Sequence, residues 1–183
     1  MTNRTGRWRR ALCVCRAFGR DAKGLAAVEF ALIAAPFFFM MFAVLEVALV
    51  FFASTLLENA TTEAARDIRT GNFQAGNGGE AQFKQAICDR ATVLIDCNNL
   101  TVDVRTYANF GLMNASQPID DDGELDDSGF GFQPGGEREI VLVRVFYEWP
   151  VVTPLLGAGF SNMSGNRRLL TAAAAFRNEP FGG

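Results

Sequence analysis

The sequence predicts an α+β protein in which a long N-terminal transmembrane helix packs on a small head built around an antiparallel sheet. Three observations support this prediction: a mostly apolar run from Leu25 to Ala53, helical spacing that continues to Thr70, and three later segments with strand character. The chain has 183 residues, enough for one modest domain and an appendage. It contains no His, which excludes Ser-His-Asp triads, Cys-His dyads and His-type zinc sites within this chain.

The two parts of the chain differ sharply in charge. Residues 1–23 contain seven Lys or Arg side chains and a single Asp, a net charge of +6, whereas the rest of the chain has a net charge of −9. Basic residues beside an apolar run are retained in the cytoplasm. We therefore expect a cytoplasmic leader and an extracytoplasmic or periplasmic head. Because membrane topology explains the basic residues of the leader, nucleic-acid binding is not predicted for them.

The apolar run is long enough to cross a bilayer, which takes about 20 residues. No charged residue interrupts it from Phe30 to Leu45. A cleavable secretory signal is the alternative, but its apolar region normally has about 7 to 15 residues and ends in a small-x-small site. Phe51, two positions before Ala53, disrupts such a site. The sequence therefore predicts a single-pass protein of the inner (cytoplasmic) membrane, with the lipid bilayer as a partner.

Two carboxylates interrupt the apolar region. Glu29 lies near its beginning, where an unpaired carboxylate costs several kcal/mol. If a peptidase cut after Gly24, the new ammonium group of Leu25 in a neighbouring subunit would neutralise Glu29. Glu46 lies 17 residues later, near the opposite interface, where a snorkelling or protonated side chain is as good an interpretation as a subunit contact. No site is predicted at Glu46.

The string GLAAVEFALIAAPFFF, preceded by basic residues and followed by LENATTEAAR, resembles the N-terminal signature of TadE-like pseudopilins (the TadE/TadG family) of the Tad (Flp) type IV pilus assembly system. In that family a prepilin peptidase on the cytoplasmic side cuts after a Gly that is followed by four residues, Glu and an aromatic residue. Gly24, Leu25, Glu29 and Phe30 match this motif. The string RNEPF, from Arg177 to Phe181, resembles the ending of these proteins.

The resemblance implies a type IV pilin-like fold and a minor pilin or pseudopilin without catalytic residues or cofactors. Gly24 and Leu25 would form the processing site, and Glu29 and Phe30 would serve processing and subunit registry. The implied partners are the prepilin peptidase, other pilin-like subunits including pseudopilins and the Flp major pilin, and the inner-membrane assembly platform. The implied organisation is a leader over 1–24, the helix over 25–71 and the head over 72–183.

The head is predicted from its local patterns. Leu57, Ala60, Ala64 and Ile68 share one helix face, which we expect to pack on the head. A short amphipathic helix is predicted over 80–91, and strands over 100–108, 139–149 and 168–177. The alanine-rich third strand is equally compatible with a helix, and strand is chosen because an antiparallel return completes the sheet. A short hydrophobic helical turn is predicted between the second and third strands.

Two features of the head suggest binding or cross-linking chemistry. Cys88 and Cys97 are candidates for a disulfide, with two buried free thiols as the alternative. A long glycine-rich connection over 109–137 carries the string DDDGELDD, in which Asp120, Asp122, Glu124 and Asp126 are weak calcium candidates. The EF-hand pattern fails because Pro118 occupies its first position, so a solvated acidic loop is favoured and no metal site is predicted.

An alternative function belongs to another class: an uncleaved, single-pass, membrane-anchored binding or sensor domain that captures a ligand or ion with the acidic loop. An enzyme would need to rely on carboxylates or Ser alone. The mature N-terminal residue separates the pseudopilin from the uncleaved anchor.

Overall fold

The structure, a computed structural model, describes residues 22–91, 94–114, 116–153 and 156–181. Its first and longest helix, α1, is Ala22–Arg69, followed by the short helix α2 (Asn72–Ala75) and by α3 (Glu80–Ala91). The sheet strands are β1 (Leu100–Tyr107), β2 (Ile140–Pro150) and β3 (Arg167–Arg177), with a one-turn helix α4 (Gly157–Phe160) between the last two. The predicted α+β class is confirmed. Most of the predicted leader lies outside the described residues.

The three strands form one antiparallel sheet in the order β1-β2-β3. Val104 pairs with Val143, and Val143 pairs in turn with Ala174. The β-branched and aromatic residues of β1 and β2 favour strands. In the alanine-rich β3, the tertiary pairing with β2 decides the conformation, so the choice of strand over helix is correct.

The chain divides into two compact units, one ending at Val44 and the other running from Leu45 to Gly183. In the second unit, one face of the sheet packs with α1 and α3 in a single hydrophobic core. The helix face predicted at Leu57, Ala60, Ala64 and Ile68 is buried in this core. The amphipathic helix over 80–91 also has the predicted bounds, with Phe83 and Ile87 buried.

The other face of the sheet is covered by the long connection between β1 and β2. Phe146, Met163 and Leu169 form a small second core, with Ile119, Leu125 and Phe130 packed against it. The connection also adds a short pairing to the edge of β1, where the Val104 N–H donates to the carbonyl of Gly131 at 2.8 Å. The acidic residues between Asp120 and Asp127 are exposed, as expected for a solvated loop, while apolar residues of the same connection pack on the sheet.

Candidate functional site

The predicted processing motif lies at the beginning of α1. The Gly24–Leu25 bond falls within the helix, whose bounds are Ala22–Arg69. The side chains of Leu25, Glu29 and Phe30 are all exposed. The motif is therefore presented on regular helix, with its carboxylate and its aromatic ring adjacent in sequence.

An apolar surface surrounds Glu29 along the helix. Exposed large hydrophobic side chains continue through the run, at Leu25, Val28, Phe30, Leu32, Ile33, Phe37, Phe38, Phe39, Met40, Met41, Phe42, Val44, Leu45, Leu49, Phe51 and Phe52. Exposed apolar surface of this extent marks a membrane or protein interaction surface. The helix is long and apolar enough to cross a membrane, and it forms a single-pass anchor followed by the C-terminal head.

The two carboxylates of α1 have different surroundings. Across the ranges that the structure describes, Glu29 is exposed and has neither a hydrogen bond nor an ion pair. Glu46 is only 7% exposed. Its Oε1 accepts from the backbone N–H of Val152 at 2.5 Å, and its Oε2 accepts from that of Thr153 at 2.7 Å. The Glu46 side chain therefore connects α1 to the loop that follows β2 through hydrogen bonds within one chain.

Sequence reasoning missed the role of Glu46. The two interpretations considered for it, a snorkelling side chain and a subunit contact, both placed the carboxylate outside its own head. The available signal was the chemistry of the residues after Pro150, where a strand has ended and backbone N–H groups need acceptors. Nothing in that local sequence identifies a helix residue 106 positions earlier as the acceptor.

The structure places Cys88 and Cys97 in a disulfide with a Cα–Cα distance of 5.8 Å. Cys88 lies in α3 and is buried, and Cys97 begins the short 3₁₀ turn before β1. The bridge thus joins α3 to the start of the sheet. The other two cysteines, Cys13 and Cys15 of the predicted leader, lie outside the described residues.

Three exposed carboxylates of the acidic loop, Asp120, Glu124 and Asp126, accept hydrogen bonds within the protein. Asp120 Oδ1 accepts from the backbone N–H groups of Asp122 and Glu124 at 3.0 and 2.8 Å. Asp126 Oδ1 accepts from the backbone N–H of Ser128 at 3.1 Å. Hydrogen bonds from the side chain and backbone of Ser128 lower the pKa of Asp126.

Glu124 ties this loop to the beginning of β3. Its carboxylate accepts from the hydroxyl of Ser164 and pairs with Arg167. The hydrogen bond from Ser164, and then that from Arg167, lower the pKa of Glu124 below its usual range. Within the described ranges no three His, Cys, Asp or Glu side chains are grouped as a metal site would need. Calcium binding at Asp120, Asp122, Glu124 and Asp126 was the interpretation that the sequence did not favour, and it stays untested.

A buried ion pair fixes the same connection to the sheet. Asp103 is 1% exposed and pairs with Arg144, whose Nη2 lies 2.6 Å from Oδ2. Asp103 Oδ1 also accepts from Arg105 Nε at 2.8 Å and from the backbone N–H of Gly131 at 3.0 Å. Arg144 in turn donates to the carbonyls of Asn114 and Ser116. This network was missed, although Asp103 and Arg144 are two of the four charged residues in β1 and β2, with Arg105 and Glu148.

The C-terminal string RNEPF lies beside the end of α1 and contacts the last residues of the long connection. The side-chain amide of the buried Asn178 donates to the carbonyls of Pro134 and Gly136. The backbone N–H of Glu179 donates to the carbonyl of Arg69 at 2.9 Å, which satisfies an acceptor at the end of α1. Phe181 lies against Gly71. The ending that resembles the family therefore holds the C-terminus of α1.

Comparison with known families adds one result. A family model described as TadE-like protein matches residues 24–66. The match begins at Gly24 and includes Leu25, Glu29 and Phe30, so the resemblance seen in the motif is confirmed over this segment. No curated protein and no solved structure matches the chain.

Proposed function

Since the TadE-like segment over residues 24–66 indicates a Tad pilus-associated membrane protein, we propose that the chain is a minor pilin or pseudopilin that acts in assembling Tad (Flp) pili. A prepilin peptidase removes the leader after Gly24, leaving Leu25 as the first residue. The mature protein then associates with other pilin-like subunits and with the assembly platform through its apolar helix. The head is on the extracytoplasmic side of the inner membrane.

The observation that carries this proposal is the exposed carboxylate of Glu29 within an apolar helix surface. A carboxylate in hydrocarbon is unfavourable without a partner. Glu46 has its partners within the head, whereas Glu29 has none among the residues described. Cleavage after Gly24 creates an ammonium group, and this group on a neighbouring subunit neutralises Glu29 when the helices pack side by side.

The rest of the helix supports the same function. From Val50 onward one face of α1 is buried within the head. That face already packs against the protein's own residues. The side chains before Leu45 are largely exposed and apolar. They interact with lipid while the subunit is in the membrane and with other helices when it is assembled. No catalytic group is needed for either role.

The test is the mature N-terminal residue of the protein purified from membranes of cells that also express the prepilin peptidase. Intact-mass measurement is expected to show loss of residues 1–24. Gly24→Val places a branched side chain at the cleaved bond and is expected to leave the leader attached. Gly19→Val, the matched change elsewhere in the leader, should be processed normally. A wild-type protein that keeps its leader would refute the proposal and favour the uncleaved anchor.

A further inference from the structure

The end of β2 and the loop that follows it, Pro150–Thr153, lie beside the part of α1 around Glu46. Glu46 binds this loop from one side of the helix, and Val50 and Ala53 on the same side are buried. At the same level the other sides of the helix expose Leu45, Leu49, Phe51 and Phe52. We call Pro150–Thr153 the Val152 loop. It lies at the level of those exposed apolar side chains of α1.

The side chain of Val152 is directed outward. It is 79% exposed, more than any of the other exposed large hydrophobic side chains in the described part of the chain. Outside α1, that set contains only Phe110, Leu112 and Val152. Phe110 and Leu112 follow the end of β1 that pairs with Ile140, which is the opposite end of the sheet from Pro150. Val152 is therefore the exposed apolar side chain at the end of the head next to the apolar part of α1.

The backbone N–H groups of the Val152 loop meet one part of the requirement that hydrocarbon imposes on irregular structure. Every polar backbone group in a membrane needs a partner within the protein. The N–H of Val151 donates to the carbonyl of Asn166 at 2.9 Å, and those of Val152 and Thr153 donate to Glu46. Pro150, at the start of the loop, has no N–H. The loop consequently exposes no unpaired N–H group to its surroundings.

A cation lies near the other end of the same connection. Arg168, in β3, donates from Nη1 to the carbonyl of Phe160 at 2.6 Å, and its guanidinium lies 4.4 Å from the centre of the Phe160 ring. Arg168 pairs with Trp149 across the sheet. Arg and Trp side chains are favoured at the boundary between hydrocarbon and headgroups. Arg168 therefore supplies a cation at the end of the sheet that carries the Val152 loop, whereas the indole N–H of Trp149 is buried within the head.

We propose that the Val152 loop is a second membrane contact, which inserts the side chain of Val152 into the acyl region of the leaflet on the head's side of the bilayer. Glu46 acts as the acceptor that allows this loop to enter lipid. The contact fixes the head against the membrane surface beside its own helix. This inference depends on the membrane span and is independent of the role in pili.

The experiment uses the full-length chain with Cys13→Ser and Cys15→Ser, reconstituted in vesicles of phosphatidylcholine and phosphatidylglycerol. Val152→Cys is labelled with an environment-sensitive fluorophore, and Leu112→Cys is the matched control at an exposed apolar residue. The unsubstituted background sets the baseline for labelling. Quenching is measured with a doxyl group on the lipid acyl chains and with iodide in the aqueous phase.

At position 152 we expect blue-shifted emission, strong quenching by the doxyl lipid and iodide quenching several-fold weaker than at position 112. Equal iodide quenching at the two positions would overturn the proposal. So would protection that develops only when further subunits are added, since the occupant would then be another protein.

In the Val152→Cys chain, Glu46→Gln replaces one acceptor oxygen by an amide and should increase access of iodide, whereas Glu58→Gln should not. Unchanged protection in Glu46→Gln would overturn the role assigned to Glu46.

Discussion

At the scale of single residues, Gly71 shows how closely the C-terminus is fitted to the end of α1. Its φ of +80° lies in the left-handed region, and a Cβ at this position would lie 2.2 Å from the Phe181 ring. Glycine satisfies both requirements, because other residues pay a conformational penalty at positive φ. Gly71, just after the end of α1, thus also provides the space for the C-terminal aromatic residue.

We expect Gly71→Ala to lower the free energy of unfolding by about 1 to 3 kcal/mol, from backbone strain and displacement of Phe181. Thermal unfolding of the full chain in detergent, followed by circular dichroism, measures the change. Gly136→Ala is the control, because a Cβ there meets no atom within 4 Å. Equal melting temperatures for the two variants would contradict this interpretation.

Asp103 is the central acceptor beneath the long connection. Its two oxygens accept from Arg105, Arg144 and the backbone of Gly131. Asp103→Asn would leave the buried Arg144 without its counter-charge, so we expect a loss of about 3 to 5 kcal/mol in the free energy of unfolding. Asp121→Asn, at an exposed position in the acidic loop, is the control in the same unfolding measurement. A small effect at Asp103 would show that the ion pair does not secure the connection.

At the scale of elements, the disulfide links α3 to the beginning of β1. Replacing both cysteines, Cys88→Ser with Cys97→Ser, is expected to lower the free energy of unfolding by about 2 to 3 kcal/mol, because a short covalent loop is opened in the unfolded chain. The melting temperature with and without reductant measures this effect. Cys13→Ser with Cys15→Ser should leave it unchanged. Thiol labelling of the folded wild-type head without reductant would refute the pairing.

The acidic loop is expected to weaken its attachment to β3 at low pH. The pKa of Glu124 is lowered by hydrogen bonds from Ser164 and Arg167, so the folded state favours the ionised form. That stabilisation is present above the pKa of the unfolded state and is lost as pH falls through the lower pKa of the folded state. Glu124→Gln should therefore reduce the fall in melting temperature on acidification, whereas Glu137→Gln should not. Identical acid profiles would contradict the linkage.

Local patterns predicted the elements of this fold well, and their cross-connections poorly. The bounds of α3 follow from its own amphipathic spacing, and β1 and β2 from alternation of β-branched residues. The alanines of β3 carry no such signal, and the sheet decided their conformation. The contact between Glu46 and Val152, and that between Asp103 and Arg144, join distant parts of the chain. Such contacts depend on tertiary placement, which a single sequence does not reveal.

At the scale of the whole molecule, α1 serves two environments along one continuous helix. From Ala53 onward its small side chains are buried with the sheet, and toward its beginning its large apolar side chains are exposed. The sequence predicted this change, because alanines at helical spacing replace the run of phenylalanines. The candidate site was predictable for the same reason: an acidic residue within an apolar run is conspicuous without any structure.

The proposed function makes Glu29 a residue of assembly, and this separates it from residues needed for insertion. Glu29→Gln keeps the size of the side chain but removes the charge that would pair with a neighbouring ammonium group. We expect the variant to insert in the membrane normally, while the pili sheared from the cells decrease by about tenfold, a change of about 1.4 kcal/mol. Intact-mass measurement of the membrane fraction separates an assembly defect from a processing defect. Glu58→Gln, on the exposed side of α1, is the control. Normal piliation by a processed Glu29→Gln protein would exclude charge pairing at this position as the basis of subunit registry.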